Sequence, residues 1–487
     1  MTFLGIDLGT SEVKAMLVDD EQRLLASDAV RLAIASPQAL WSEQSPDEWW
    51  HATLKAIDRV RSAAPDAFAA LRGIGLSGQM HGAVLLDKHQ RVLRPAILWN
   101  DTRAHAECIE LEALVPQSRQ ITGNLAMPGF TAPKLLWLQK YEPAIRARVD
   151  KVLLPKDYIA FRLTGEFVSE MSDAAGTLWL DVAGRDWSDR MLNATGLDRA
   201  SMPRLVEGSQ AGAALRPALA AEWGIAHEVV VAGGAGDNAA AAVGIGAVSP
   251  GDAFISLGTS GVMFVANERF LPNPAQAVHA FCHALPQRWH QMSVMLSAAA
   301  SLTWASQLTQ TPVGDLAGLA QRADAARAPL FLPYLNGERT PHNNARASGT
   351  LLGLSGTSDR AAVGYAVMEG VAFGLADGYA ALAATGSRVG TASFVGGGSK
   401  SRFWGELIAS ATGITLLRHA NGDFGGAFGA ARLARLAVGG EAVEAVCTVP
   451  PVAEAIRPNP EMAALLHARH DRFRRAYAAL EPEFARA

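Results

Sequence analysis

Cysteine is scarce in this chain of 487 residues: Cys108, Cys282 and Cys447 are the only three. They are far apart, odd in number and free of any Cys-x-x-Cys spacing, which argues against a disulfide framework or a cysteine zinc site and suits a reducing cytoplasm. An excess of one charge is lacking too. The 43 basic and 47 acidic side chains leave a net −4, so no broad field draws the protein to nucleic acid. The N-terminus, Met1-Thr2-Phe3-Leu4-Gly5-Ile6-Asp7, has no basic region and reaches an acid by position 7, unlike a signal or transit peptide. One long uncharged-looking run, Val229 to Val248, is mostly Ala and Gly with Asp237 and Asn238 near its middle. A bilayer opposes both, so the run reads as strand, turn and helix, and no membrane partner is expected. No G-x-x-x-x-G-K-[ST] sequence occurs, which excludes a P-loop fold.

What is present is a 49% apolar composition, enough for two to four domains at about 150 residues each, and an internal repeat. Residues 3–18 read as a hairpin, an apolar strand and an alternating strand joined by Gly9-Thr10-Ser11. Residues 254–265 read the same way, with Leu257-Gly258-Thr259-Ser260 repeating Leu8-Gly9-Thr10-Ser11. The copies lie about half a chain apart, as a duplicated domain gives. The expected division is residues 1–243 and 244–487. Strands alternate with helical stretches in both halves, implying mixed sheets covered by helices.

A Gly-Thr-Ser turn suits phosphate, because glycine lets backbone N–H groups approach and the hydroxyls add donors. A single copy is no more than a tight turn, whereas two facing copies make a clamp. The first carries Asp7 where the second has Ser256, so one side alone brings a carboxylate, the ligand type Mg²⁺ prefers beside substrate phosphate. Lys14 on the following strand is placed to neutralise phosphate charge. Gly234-x-Gly236-x-x-Ala239 matches a dinucleotide fingerprint, but Asp237 would set a negative charge against the pyrophosphate. On such a turn an aspartate serves either as general base to a sugar hydroxyl or as a helix N-cap. Gly396-Gly397-Gly398 before a helix leaves bare backbone for adenine or ribose. Gly78-Gln79-Met80-His81-Gly82 and Trp99-Asn100-Asp101-x-Arg103 mix polar, aromatic and apolar groups as a sugar pocket needs. The small-residue helices 239–247 and 424–431 are expected to cross where the lobes meet and to form the hinge of a closing cleft.

These stretches, with MPGFTAPKLLWL (127–138), LPKDY (154–158), NGERTPHNN (336–344) and FVGGGSKSRFW (394–404), are similar to the FGGY family of carbohydrate kinases over essentially the whole chain, and within it to the branch acting on D-xylulose. The resemblance implies an α/β fold of two ribonuclease-H-like domains, as in actin, Hsp70 and hexokinase, with ATP and sugar between them. It implies phosphorylation of D-xylulose to D-xylulose 5-phosphate in the cytoplasm, Asp237 as base, Mg²⁺ at Asp7, and sugar contacts from Met80, His81, Asp101, Arg103, Asp237 and Asn238. ATP is expected at Thr10, Ser11, Lys14, Gly258, Thr259, Gly397, Gly398 and Ser401. The partner is a small sugar, and a homodimer is the assembly common among such enzymes. Lys134 and Trp137 match the family without a chemical account of their own. Kinases for ribulose, gluconate, glycerol or a deoxyketose share the phosphate motifs, and an actin-like ATPase would share the turns without the sugar pocket.

Overall fold

The computed structural model describes residues 1–420 and 424–484. Its frame is two seven-stranded mixed sheets. In the first, β1 (Thr2–Leu8), β2 (Glu12–Asp19) and β3 (Leu24–Arg31) form an antiparallel meander. β4 (Leu71–Gly78) pairs parallel with β1, and β6 (Val230–Ala232) parallel with β4. β5 (Ala211–Ala214) runs antiparallel at that edge, and the short β7 (Ala235–Gly236) lies along the end of β4.

The second sheet repeats the plan. β8 (Ala253–Leu257), β9 (Gly261–Asn267) and β11 (Trp289–Met295) make the meander, with β10 (His279–Cys282) at its edge. β12 (Thr391–Val395) and β13 (Thr415–His419) continue parallel to β8, and β14 (Val452–Ile456) closes the far edge antiparallel. One strand order used twice is the paired α/β architecture that the repeated hairpin implies. The principal helices are α1 (Pro46–Ala63), α2 (Thr131–Tyr141), α3 (Asp237–Ile245), α4 (Ala299–Leu308), α5 (Val313–Ala320), α6 (Arg360–Ala383), α7 (Arg402–Thr412) and α8 (Gly426–Gly439).

Period-two alternation decides what each strand faces. Leu4, Ile6 and Leu8 pack with Trp49 and Ile57 of α1, while Phe3 packs with Ala427 and Ala431 of α8 on the opposite face. Gly5 and Asp7 share that second face. It must be smooth: a Cβ on Gly5 or Gly75 would lie 1.8 Å from the carbonyl oxygen of Ala427 or Ala430. α8 is thus a late segment covering the first sheet. It also crosses α3, with Gly429 so close that a Cβ would lie 1.8 Å from the Ala240 oxygen. The two small-residue helices therefore cross as the sequence indicates. Arg432 of α8 pins the end of α3, donating to the carbonyls of Val243 at 3.0 Å and Gly244 at 3.1 Å.

The apolar run 229–248 folds as β6, β7 and α3. By length and composition it is α6, with a mean hydropathy of 1.2, that is apolar enough to cross a membrane, yet 83% of its most apolar stretch is buried. It is the central core helix of the second lobe, packed by Leu316, Phe331 and Trp404.

Candidate active site

Strand register brings the two key acids together. Asp7, Ser77 and Ala235 lie abreast across β1, β4 and β7, and Asp237 follows two residues on, at the start of α3. Ser77 Oγ donates to Asp7 Oδ1 at 2.7 Å. A Cβ on Gly426 would come within 2.9 Å of the Asp7 carboxylate carbon, so the start of α8 closes directly over it. Burial raises the Asp7 pKa, while the Ser77 hydrogen bond and the charge of Lys14, its partner in the hairpin register, pull it down. Asp237 is pushed up to about 6 by burial first and by the Asp7 charge second. Its Oδ1 accepts from the Asn238 backbone N–H at 2.6 Å and from Nδ2 at 2.9 Å. The other oxygen has no partner in these bonds and is disposed to take a proton.

Two cavities flank the Gly396–Gly398 turn. One, of about 700 Å³, lies between the lobes, bordered by Asn238 and Ala241 of α3, Ser256 and Val395 of the second sheet, Gly396, and Gly425 before α8. Ser256 of the second hairpin borders this space, as does Gly425, next to the Gly426 that covers Asp7. The other, of about 630 Å³, lies within the second lobe among α4, α5 and α7 and is lined by Gly397, Gly398 and Ser401. Ser401 Oγ caps α7, accepting from Trp404 N–H at 3.3 Å. Lys400 lines both cavities, a position that its place in the FVGGGSKSRFW stretch does not by itself reveal.

The first Gly-Thr-Ser turn is braced by side chains. Thr10 Oγ1 donates to Gln79 Oε1 at 3.0 Å and accepts from Trp99 Nε1 at 3.0 Å, leaving Ser11 exposed. The second is braced by α4, whose preceding Ala298 and first residue Ala299 donate to the carbonyls of Thr259 at 2.9 Å and Gly258 at 2.8 Å. Among the described residues no group of three or more His, Cys, Asp or Glu forms a metal site by itself. Asp7 fits Mg²⁺ nonetheless, because that ion binds through one or two carboxylates plus substrate phosphate and water.

Met80 packs against Gly236, where a Cβ would lie 3.0 Å from its sulfur, so it abuts the backbone just ahead of Asp237. His81 adopts φ 72°, a conformation costly for a residue with a Cβ and held only by firm surroundings. Those surroundings are Lys134 Nζ and Thr131 Oγ1, which donate to its carbonyl at 2.8 and 3.2 Å, and the Gly176 carbonyl, 2.6 Å from Nδ1. Burial holds its pKa near 3, so the ring is neutral, donates from Nδ1 and presents Nε2 as an acceptor. Lys134, whose motif carried no chemistry of its own, therefore clamps the backbone of His81.

Asp101 and Arg103, expected at the sugar, are engaged with each other. Their side chains are each 1% exposed and paired at 2.7 Å, with Glu43 also 2.7 Å from Arg103. Asp101 Oδ2 further accepts from Ser42 N–H at 2.6 Å, and the guanidinium lies 3.5 Å over Trp41. Spacing alone does not reveal that these two ions pair with each other.

Residues 2–244 match the N-terminal domain of the FGGY family of carbohydrate kinases, and residues 253–438 match its C-terminal domain. Over 99% of its length the chain is 51% identical to a xylulose kinase of Escherichia coli (strain K12), all of which is covered. Among solved structures, a xyloylose kinase from Brucella ovis superposes with a TM-score of 0.97 at 50% identity, covering 99% of this chain and 100% of that one. A xylulose kinase from Rhodospirillum rubrum reaches 0.91 at 28% identity, with 100% of both chains covered.

Proposed function

Because the chain belongs to the FGGY family of carbohydrate kinases, we propose that it transfers the γ-phosphoryl group of ATP to the O5 hydroxyl of D-xylulose, giving D-xylulose 5-phosphate and ADP. The observation that carries this reading is Asp237: a carboxylate lifted to about 6 by burial and the Asp7 charge, directly after the Gly236 that Met80 packs on, with its neighbour Asn238 bordering a cavity between the lobes. The relatives named above for xylulose support the choice of sugar.

In this reading the adenosine lies in the second-lobe cavity beside Gly397, Gly398 and Ser401, and the phosphates reach along Thr259 and Thr10 toward Asp7. Asp7 would hold Mg²⁺, which supplies charge neutralisation to the phosphates when bound. Met80, His81 and Asn238 hold the sugar so that O5 faces Asp237, which accepts its proton as O5 bonds to the γ-phosphorus and the bond from phosphorus to the ADP oxygen breaks. Most of the acceleration comes from positioning and charge stabilisation. The nucleotide side is thus the second lobe, and the sugar and base belong to the first. Three buried thiols suit the reducing cytoplasm.

A coupled ADP-release assay over ketoses, polyols and gluconate tests the reading. D-xylulose is expected to give the highest kcat/KM, with negligible ATP turnover in the absence of sugar. A higher value on ribulose, gluconate or glycerol would reassign the substrate, and sugar-independent hydrolysis at the same rate would end the kinase reading.

A further inference from the structure

Arg339 is a desolvated cation that forms no ion pair among the described residues. It sits on the loop after strand Leu330–Leu332 of the second lobe and keeps part of its surface accessible. Nη1 donates to His279 Nε2 at 3.0 Å. That nitrogen accepts because His279 Nδ1 donates to Asn124 Oδ1 at 3.1 Å, which assigns the tautomer from the network. Among the described residues no carboxylate forms an ion pair with Arg339. The carboxyl of its neighbour Glu338 is engaged by backbone instead, with Oε1 accepting from the N–H groups of Leu296 at 2.9 Å and Arg339 at 2.8 Å. Burial lifts Glu338 to about 8, so it is an uncharged acid at neutral pH. The guanidinium stays protonated, and beyond its bond to His279 it has N–H donors left for an acceptor that enters from its accessible side.

Aromatic contacts link this charge to His81, the residue proposed above to hold the sugar. His279 stacks on Phe281 at 5.5 Å and meets Phe130 edge-on at 5.6 Å, and Phe130 meets His81 edge-on at 4.6 Å. The Arg339 charge helps depress the pKa of both histidines. His81 of the first lobe and Arg339 of the second therefore flank one region. Leading away from Asp237, the order is Met80, then His81, with Arg339 beyond.

Resting on the D-xylulose reading, we propose that Arg339 is the second lobe's contact with the sugar, its remaining N–H groups donating to the C2 carbonyl oxygen at the end of the ketose remote from O5. Guanidinium offers donors only and a ketone oxygen accepts only, so the pairing is complementary. A polyol, whose hydroxyl also needs an acceptor, fits this end less well.

The test is steady-state kinetics of the full-length enzyme on D-xylulose and on xylitol. Arg339→Met is expected to lower kcat/KM for D-xylulose at least about tenfold, to lower it less for xylitol, and to leave the ATP KM unchanged. Arg339→Lys keeps the charge, tolerates the site if the methionine variant does not fold, and is expected to fall in between with the same change in the ketose-to-polyol ratio. With a wild type active on D-xylulose, an unchanged variant overturns this assignment alone, as does an equal loss on both substrates. A wild type inert toward D-xylulose overturns the substrate reading and this assignment with it.

Discussion

At the scale of single residues, the proposed reaction turns on how burial sets the ionisation of Asp237. A general base works when deprotonated, and its carboxylate is lifted to about 6. kcat/KM is therefore expected to be level above that pH and to fall about tenfold per unit below it. Asp237→Ala should lose about 10²–10⁴-fold in kcat and the acid limb of the pH profile, while a fluorescent ATP analogue still binds. Retained activity would remove the base assignment. Lys134→Met leaves the His81 carbonyl without its principal donor, so the sugar KM should rise several-fold with the ATP KM constant; a parallel rise in both would mean general damage. Asp7 and Asp237 were legible in the sequence because each follows an apolar strand at a glycine turn. Lys134 and Arg339 carried only motif likeness, since their roles depend on which carbonyl or ring the fold brings to them.

At the scale of elements, glycines decide how closely helices approach. Gly429→Ala should destabilise the protein by about 1–3 kcal/mol or more, because its Cβ would meet backbone oxygen, which has no rotamer to yield. Gly390, with nothing within 4 Å, supplies the control, and Gly390→Ala should shift the urea midpoint little. Equal shifts for both would discard the close-crossing account. Small residues on both helices made the crossing readable in advance. Its second contact was not, for nothing local in residues 426–439 says that the glycine-faced side of the first sheet is their seat.

At the scale of the whole molecule, the repeated hairpin made the two-lobed plan legible, because strand periodicity and turn chemistry recur together. The seam between the lobes was hidden. Asn124 bonds to the Ala280 carbonyl at 2.9 Å, and Trp289 to that of Val182 at 2.8 Å, contacts between segments remote in sequence. Closure about the α3–α8 crossing is expected to reduce the radius of gyration in small-angle scattering when D-xylulose and a non-hydrolysable ATP analogue are added together. An unchanged scattering curve would remove the hinge. The placement of α8 on the first sheet also bears on how the protein is made. Its first strand leaves the ribosome early, but the helix that covers it, Gly426–Gly439, comes only near the end of the chain, so the amino-terminal half, once made, must wait with a bare apolar face through most of the synthesis of the second half. A fragment ending at residue 244 should inherit that exposure permanently and aggregate where the intact chain does not.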